Sequence, residues 1–211
     1  MNSGKKKAGI LGGTLNPIHY GHLLIAEQAY CRFGLDYIIF MPSGNPPHKT
    51  GDAIPAGIHR ENMTKLAIAD NPHFCYSDME LKRKGLIYTS DTLRILCREH
   101  PDIEYFFILG ADSLFSLEQW HEPEEVLKRC QIIAAGRPDG IQPNFQSEHD
   151  ILTRIQYLEQ KYNCRIHYMD SPLFEVSSSA IRTRITNGES VRYLIPADVE
   201  RYIHEHDLYN I

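Results

Sequence analysis

The chain has 211 residues, of which 42% are hydrophobic and 23% are charged. These fractions are close to those of an average globular protein, so the composition excludes a disordered or fibrous chain. The formal net charge of −5 argues against a general nucleic-acid-binding protein, which would carry an excess of Lys and Arg. No hydrophobic run approaches the roughly 18 residues of a membrane helix, so we expect no membrane partner.

The cysteines favour a reducing compartment. They are odd in number, lie far apart and include no Cys-x-x-Cys pair, at Cys31, Cys75, Cys97, Cys130 and Cys164. The N-terminus is rich in Lys and lacks the hydrophobic stretch of a signal peptide. We therefore expect a cytoplasmic protein. The oligomeric state stays open, and a homo-oligomer is compatible with the sequence.

Predicted strands and helices alternate along the chain. Hydrophobic runs predict strands at 8–11, 37–41, 104–109 and 131–135, with weaker candidates at 74–81 and 165–169. Helical spacing predicts helices at 21–33, 57–70, 89–99, 122–129, 148–162, 177–187 and 196–206. We expect Gly34 to end the first helix and a Thr/Ser/Asp cap to begin the helix at 89–99. The segments 42–54 and 138–147 have loop-like compositions.

This alternation predicts an α/β fold with a doubly wound, Rossmann-like parallel sheet and helices on both faces. The strands are nearly continuous hydrophobic runs, which indicates burial on both faces of the sheet. We expect a single domain over residues 1–211, with a small C-terminal helical portion from about 177 to 211.

A glycine-rich turn connects the first predicted strand to the first predicted helix. It consists of Gly12, Gly13 and Thr14, and His19 and His22 follow at the beginning of the helix. Glycine lets the backbone approach a phosphate closely, and a helix N-terminus offers unpaired N–H groups and the positive end of its dipole. Histidines spaced i, i+3 can both face one anion. The segment therefore predicts a polyphosphate site.

The glycine-rich segment fits other kinds of ligand site less well. The dinucleotide pattern Gly-x-Gly-x-x-Gly and the Walker pattern Gly-Lys-Ser/Thr are absent, which argues against a simple NAD-dependent dehydrogenase and a P-loop kinase. A zinc ion would need more ligands than His19 and His22 supply, and no nearby Cys or carboxylate completes the set. We therefore expect no metal site built from protein ligands.

A second polar segment begins the helix predicted at 177–187. Ser177, Ser178 and Ser179 stand at its start, where hydroxyl groups cap a helix and can also hold phosphate oxygens. We expect Arg182 in the first turn, where its charge opposes the helix dipole unless it faces a bound anion. Taken alone, the segment fits a plain serine cap with a solvent-exposed arginine better.

Together the two segments resemble the signature motifs of the nucleotidyltransferase superfamily. The first is Gly12-Gly13-Thr14-Leu15-Asn16-Pro17-x-His19-x-Gly21-His22, and the second is Ser177-Ser178-Ser179-x-Ile181-Arg182. Over essentially the whole chain, their order and separation resemble bacterial nicotinate-nucleotide adenylyltransferases. The resemblance implies transfer of AMP from ATP to nicotinate mononucleotide in NAD biosynthesis, giving deamido-NAD and pyrophosphate. It implies catalytic roles for His19, His22 and Arg182, and ATP binding by Gly12, Gly13, Thr14, Gly21, Ser177, Ser178, Ser179 and Ile181.

Three further segments resemble the acceptor-binding parts of the same family. They are Pro46-Pro47-His48-Lys49, Tyr88-Thr89-x-Asp91-Thr92-Leu93, and Gly110-Ala111-Asp112 followed by Trp120. The resemblance implies that Lys49 binds the acceptor phosphate and that Trp120 stacks on the pyridinium ring, whose positive charge an indole face attracts. It also implies that backbone amides at Thr89 and His121 contact the nicotinate carboxylate. The implied acceptor-binding residues are His48, Lys49, Thr89, Gly110, Asp112, Trp120 and His121.

The chain departs from the family pattern at two places. Leu15-Asn16 stands where the family usually has Phe-Asp, and Ser179 stands where it has Thr. In the implied reaction the acceptor phosphate is itself the nucleophile, so we expect catalysis to need only alignment and charge neutralisation. We also expect Mg²⁺ to accompany ATP. The alternatives are another nucleotidyltransferase, such as a pantetheine-phosphate adenylyltransferase or a cytidylyltransferase, and a non-catalytic nucleotide-sensing module.

Overall fold

The computed structural model describes residues 4–44, 54–136, 148–171 and 176–209. The strands are β1 (Lys6–Gly13), β2 (Tyr37–Pro42), β3 (Phe74–Tyr76), β4 (Ile103–Gly110), β5 (Gln131–Gly136) and β6 (Ile166–Asp170). The helices are α1 (Tyr20–Phe33), α2 (Gly57–Ile68), α3 (Met79–Lys82), α4 (Thr89–Glu99), α5 (Ala111–Ser116), α6 (Pro123–Arg129), α7 (Glu148–Tyr162), α8 (Ser178–Thr186) and α9 (Ala197–Glu205). A short 3₁₀ helix, Leu117–Gln119, follows α5.

The strands form one parallel sheet in the order β3-β2-β1-β4-β5-β6. Ile10 of β1 lies opposite Phe107 of β4, and Ile108 of β4 lies opposite Ile133 of β5. This confirms the predicted doubly wound, Rossmann-like α/β fold. In such sheets ligands bind beyond the carboxyl ends of the strands where the order reverses, which here is beside β1.

Packing divides the chain into two compact units. Unit 1 consists of Met1–Leu11, Ile25–Ile38 and Tyr88–Leu173, and unit 2 of Gly12–Leu24, Ile39–Ile87 and Phe174–Ile211. Each unit is therefore assembled from segments that are separated in the sequence. The expectation of one domain over residues 1–211 stays a prediction.

The core of unit 1 contains strands that are buried on both sides. Tyr105 and Phe106 of β4 point to opposite faces of the sheet, yet their side chains are only 2% and 3% exposed. Ile132 and Ile133 of β5 are fully buried. This confirms the expectation from the continuous hydrophobic runs, because a strand that is exposed on one face would alternate polar and apolar residues.

The core of unit 2 is mainly helical. Helices α2 and α9 contact each other, and their buried residues recur at helical spacing, Met63 and Ala67 in α2 and Val199 and Ile203 in α9. In α8 the buried residues are Ile181 and Ile185, which is again a spacing of one helical turn. The buried residues of each helix therefore lie on one face, and the opposite face is available for polar contacts.

The predicted helices at 21–33, 89–99, 122–129, 148–162, 177–187 and 196–206 agree with the structure to within one residue at each end, and α2 ends two residues before its predicted end. Gly34 follows α1 with φ +58°, the left-handed conformation that ends many helices. In the described part of the chain, no helix is long and apolar enough to cross a membrane. Residues 45–53 of the predicted loop at 42–54, and the whole predicted loop at 138–147, lie outside the described residues.

The strand predicted at 74–81 is wrong beyond Tyr76. Only Phe74–Tyr76 pairs, as an edge strand of the sheet, and α3 begins at Met79. Ser77 accepts a hydrogen bond from the Met79 N–H, at 3.3 Å, and Lys82 pairs with Asp78 at 2.9 Å. These local contacts turn the backbone into a helix, and the edge position offers pairing on one side only.

Two details of helix boundaries also differ from expectation. The residue before α4 is Tyr88, in an extended conformation and without a side-chain cap, so the expected Thr/Ser/Asp cap is wrong. The side chain of Asp91 pairs with Arg94 instead. Helix α5 and the 3₁₀ helix were not predicted from the sequence. Their buried residues Leu114 and Leu117 are spaced i, i+3, but two positions are too few to establish a helical pattern.

Candidate active site

The first motif forms the loop between β1 and α1 in unit 2, which we call the motif loop (residues 14–19). Strand β1 extends through Gly13, which has φ +148°, so the turn expected from Gly12 begins two residues later, at Thr14. The Ser43 N–H donates to the Gly13 carbonyl at 2.8 Å and continues the strand pairing to this point. Asn16 and His19 are only 3% and 6% exposed. The loop is therefore well packed, and few of its polar groups reach solvent.

His19 and His22 face each other at the start of α1. Their ring centroids lie 3.7 Å apart, and the ring planes are tilted by 35°. The His19 backbone N–H donates to Nδ1 of His22 at 3.2 Å. Because this nitrogen accepts a hydrogen bond, the ring of His22 carries its proton on Nε2. The geometry makes Nε2 of His22 a hydrogen-bond donor without requiring a charged ring.

The imidazole of His19 is held in its neutral form. Burial lowers the pKa of His19 from 6.5 to about 4, because a buried charge loses its hydration. Its Nδ1 atom is buried and has no hydrogen-bond partner among the described residues. Buried polar atoms are normally paired, so this nitrogen is an unsatisfied polar group within the packed loop.

Helix α8 brings the second motif against this loop within unit 2. Ser178 Oγ donates to the Pro17 carbonyl at 2.9 Å, and Arg182 Nη1 donates to the Asn16 carbonyl at 2.9 Å. Two segments more than 160 positions apart in the sequence are thus joined by direct hydrogen bonds. The pairing of these motifs is the feature of the site that the sequence could suggest but not demonstrate.

The remaining residues of the second motif have different surroundings. Ser177 is the N-cap of α8 and accepts a hydrogen bond from the Ala180 N–H at 3.2 Å, as expected, and its hydroxyl also contacts that of Ser179 at 3.0 Å. Ile181 is fully buried, so its side chain packs in the interior. Arg182 is the fifth residue of α8, just beyond the first turn where it was expected.

Arg60 of α2 is part of this site and was missed at the sequence level. It is 3% exposed and donates to the carbonyls of Thr14 at 3.0 Å and Ser43 at 2.6 Å. It thus joins the segments that follow β1 and β2. Burial lowers the pKa of Arg60. A charged residue on a helix normally indicates a solvent-exposed face, so the sequence carried no signal for this role.

The predicted pyridine-binding residues lie in unit 1. Gly110 ends β4, Asp112 lies at the start of α5, and both are exposed. Trp120 is half-buried, and its ring meets Phe107 edge-on at a centroid distance of 6.0 Å. An edge contact with a neighbouring ring fixes the indole while leaving it partly accessible.

His121 contacts the residue that precedes Thr89. The His121 ring lies on the ring of Tyr88, the residue before Thr89, with centroids 4.1 Å apart. Arg94 strengthens this connection by pairing with Asp91 at 2.5 Å and with Glu122 at 2.7 Å. The structure thus assembles the N-terminus of α4 and the segment after Trp120 at one place in unit 1.

Glu118 anchors the 3₁₀ helix that precedes Trp120. It pairs with Lys161 at 2.6 Å and Arg154 at 2.9 Å, both on α7. Tyr162 also donates to it, at 3.0 Å. The hydrogen bond from Lys161, followed by those from Tyr162 and Arg154, lowers the pKa of Glu118 to about 2. A carboxylate shared by several donors holds this short segment in place.

The predicted acceptor-binding residues His48 and Lys49 lie outside the described residues. Among the residues that are described, no group of three or more His, Cys, Asp or Glu side chains is arranged to hold a metal ion.

Comparisons with known proteins place this site in a family. The Cytidylyltransferase-like family matches residues 10–184. A relative from Lachnoclostridium phytofermentans, named "Probable nicotinate-nucleotide adenylyltransferase", is 46% identical over 204 residues, which are 97% of this chain and 99% of that protein. A relative of the same name from Desulfitobacterium hafniense is 40% identical over 211 residues, 100% of this chain and 99% of that protein.

The chain belongs to the nicotinate-nucleotide adenylyltransferase family. Two solved structures of the nicotinic acid mononucleotide adenylyltransferase from Plasmodium falciparum share the fold of this family member. The complex with NaAD has a TM-score of 0.79 at 21% identity, and the complex with APC has 0.76 at 20%. Each comparison covers 97% of both chains. At this level of identity the similarity shows the fold alone.

Proposed function

We propose that this chain transfers AMP from ATP to nicotinate mononucleotide, with deamido-NAD and pyrophosphate as products, in NAD biosynthesis. The observation that carries the proposal is the direct contact between the two motifs in unit 2. Ser178 and Arg182 donate hydrogen bonds to the loop that leads into His19. The names of the relatives at 40% to 46% identity support the same reaction.

In this reaction the acceptor phosphate attacks the α-phosphorus of ATP, and pyrophosphate leaves. The nucleophile belongs to the substrate, so no side chain has to form a covalent bond. Catalysis then depends on aligning two polyanions and stabilising the charge that develops during an in-line displacement. The donors needed for this purpose are neutral N–H groups and cations, which the motif loop and α8 supply.

We assign the phosphates of ATP to the motif residues of unit 2. Nε2 of His22 donates to the transferred phosphoryl group, and the unpaired Nδ1 atom of His19 would donate to the same polyphosphate in the tautomer that carries its proton there. The backbone at Gly12, Gly13 and Thr14 and the N-terminus of α1 near Gly21 add N–H groups.

Helix α8 would hold the outer phosphates. Arg182 already donates to the Asn16 carbonyl through one nitrogen, and its planar fork has further N–H groups that suit phosphate oxygens. Ser177 and Ser179 are exposed at the N-terminus of the helix, where the dipole favours an anion. Ser178 is committed to the loop, and Ile181 contributes by packing α8 in the interior.

We assign the pyridine ring to unit 1. Trp120 would stack on the positively charged ring, and backbone amides at Thr89 and His121 would contact the carboxylate. The contact between the Tyr88 and His121 rings supports this assignment, because it joins the residue before Thr89 to His121. Gly110 and Asp112 lie at the carboxyl end of β4 and line the same proposed subsite. His48 and Lys49 remain our candidates for the acceptor phosphate.

Mg²⁺ fits this scheme as a companion of ATP. The described residues offer no cluster of protein ligands for it, so the triphosphate oxygens and water would supply its coordination. Bound there, it would shield negative charge on the phosphates. The chain's own contribution then comes from the N–H donors, the N-terminus of α8, the guanidinium of Arg182 and the candidate residues His48 and Lys49.

The proposed partners are ATP and nicotinate mononucleotide. The net charge of −5 supports the absence of a nucleic-acid partner, and a homo-oligomer is compatible with the sequence. All five cysteines are free thiols, which supports a reducing compartment such as the cytoplasm.

Pyrophosphate release with Mg-ATP tests the proposal directly. The acceptors to compare are nicotinate mononucleotide, nicotinamide mononucleotide and phosphopantetheine. A strong preference for the first is expected. Release with phosphopantetheine would instead support a different nucleotidyltransferase and overturn the role of Trp120. ATP binding without pyrophosphate release for any acceptor would support the non-catalytic alternative.

A further inference from the structure

One face of α8 carries three polar residues at a spacing of four, Ser178, Arg182 and Thr186. This spacing places them on the same side of the helix. The first two donate to consecutive carbonyls of the motif loop, at Pro17 and Asn16, each at 2.9 Å. The third residue, Thr186, belongs to neither signature motif.

Thr186 reaches the same loop through the C-terminal segment. Its Oγ1 donates to the carbonyl of Tyr209 at 3.0 Å. The hydroxyl of Tyr209 donates in turn to Oδ1 of Asn16 at 2.6 Å. Asn16 is therefore held twice, at its side chain by Tyr209 and at its backbone carbonyl by Arg182.

The surroundings of Tyr209 keep it a neutral donor. Burial raises the pKa of its phenol, and the opposing effect of the Arg182 and Arg60 charges is smaller, so the pKa is raised overall. Asn16 is 3% exposed, and a buried amide that loses its partner has no water to replace it. The hydrogen bond between Tyr209 and Asn16 therefore determines the conformation of a residue that lies three positions before His19.

We propose that Tyr209 and Thr186 are positioning residues for AMP transfer, which hold the motif loop so that His19 and His22 face the reacting phosphate. Neither is a catalytic residue, since neither is placed in contact with substrate. The proposal rests on the proposed function. It makes the C-terminal segment a part of the active-site architecture.

The expected signature is a loss of turnover without a loss of binding. A loop that is displaced by a fraction of an ångström still binds ATP, but it aligns the phosphate less well. Tyr209→Phe removes only the hydroxyl and should lower kcat about tenfold, the equivalent of one buried hydrogen bond, with KM for ATP within about twofold of its original value.

Thr186 offers a conservative pair of variants. Thr186→Val removes the hydroxyl at nearly constant volume and should lower kcat in the same way. Thr186→Ser keeps the hydroxyl and should retain most of the kcat of the unmodified chain. If Thr186→Ser and Thr186→Val lose kcat equally, the hydrogen bond to Tyr209 does not position the loop.

Tyr202→Phe is the matched control in the same unit. The Tyr202 hydroxyl accepts a hydrogen bond from Asn62 at 2.9 Å and contacts His59 at 3.0 Å, and neither residue touches the motif loop through a described contact. This variant should leave kcat unchanged. A loss of kcat as large as that of Tyr209→Phe would show a general effect of loosening unit 2 and would overturn the proposal.

Amide hydrogen exchange provides a readout that does not depend on activity. The His22 N–H donates to the His19 carbonyl at 2.9 Å and should exchange faster in Tyr209→Phe than in the unmodified chain. Unchanged exchange at His22 and unchanged kcat would each overturn the positioning role. Absence of turnover in the unmodified chain would instead contradict the proposed function, and the exchange result would still decide the inference.

Discussion

At the scale of single residues, the histidine pair has properties that neither histidine would have alone. Burial keeps His19 neutral, and its backbone N–H determines which nitrogen of His22 carries the proton. A neutral donor can stay in place while a phosphate arrives and leaves. It also binds the released pyrophosphate less strongly than a cation would, which favours turnover.

Removing the His22 donor should reduce the rate of transfer rather than binding. We expect His22→Ala to lower kcat by about 100-fold or more, the effect of losing one donor to developing charge. His22→Gln places an amide N–H near the position of Nε2 and should retain part of the lost rate. Steady-state pyrophosphate release measures both variants. Equal rates in His22→Gln and His22→Ala would contradict the assigned donor.

The burial of His19 predicts a pH-dependent stability. The unfolded chain protonates this imidazole near pH 6.5, whereas the folded chain does so only near pH 4, so acid favours unfolding. The contribution of the neutral His19 side chain to the free energy of unfolding is fully present above pH 6.5 and is lost as the pH falls toward 4. The difference between the two pKa values corresponds to about 3 kcal/mol.

Denaturant unfolding between pH 7 and pH 4 measures this effect. His19→Asn removes the titratable group and should show a shallower decline of unfolding free energy with acid than the unmodified chain. His149→Gln, at an exposed position, is the control for removing a histidine and should leave the slope unchanged. Parallel slopes for His19→Asn and the unmodified chain would show that His19 is not protonated on unfolding.

At the scale of elements, short segments are held in place by polar contacts from longer helices. The 3₁₀ helix before Trp120 is held by α7 through Glu118, and the motif loop is held by α8 and α2. A segment of a few residues has too little hydrophobic surface to fix its own position, so charged and hydroxyl groups on a neighbouring helix determine where it lies.

Loosening the 3₁₀ helix should affect only the nicotinate substrate. Glu118→Gln weakens the pairing with Lys161 and Arg154, and we expect KM for nicotinate mononucleotide to rise by about threefold to tenfold, since pairs of this kind contribute roughly 1 kcal/mol. Trp120→Ala should raise the same KM further. The KM for ATP should not change in either variant.

Asp198→Asn is the control for Glu118→Gln. Asp198 forms a surface pair with Arg201 at 2.5 Å in α9 of unit 2, and this pair includes no residue of α7 or of the 3₁₀ helix. Kinetics with each substrate varied in turn compare the variants. If Glu118→Gln raises KM for ATP and not that for nicotinate mononucleotide, the anchoring role assigned to Glu118 is wrong.

At the scale of the whole molecule, the assigned ATP residues lie in unit 2 and the assigned pyridine residues in unit 1. This division predicts two separate footprints in hydrogen exchange. A non-hydrolysable ATP analogue should protect amides in residues 14–23 and 177–182. Nicotinate mononucleotide alone should protect residues 89–93 and 117–121, because bound ligand orders the backbone that it contacts. Protection of residues 14–23 by nicotinate mononucleotide alone would contradict the assignment.

Local patterns made much of this architecture predictable from the sequence. Strands such as β4 and β5 are continuous hydrophobic runs, and helices such as α7 and α9 show regular apolar spacing, so they needed no tertiary information. The two motifs carry their chemistry in adjacent residues. Arg60 and Tyr209 were not predictable, because each acts through a backbone or side-chain partner far away in the sequence. The predicted cap of α4 was wrong because the helix already begins at Thr89, which leaves Tyr88 in the N-cap position.

The chain passes back and forth between the two units, since unit 1 and unit 2 are each built from three separate segments. No single cut in the gene would release either unit intact, so neither can be inherited, fused or exchanged by itself. Recombination that exchanged one whole unit would need crossovers at several points in the gene. We therefore expect the residues for the nucleotide donor and those for the acceptor to have a common evolutionary history.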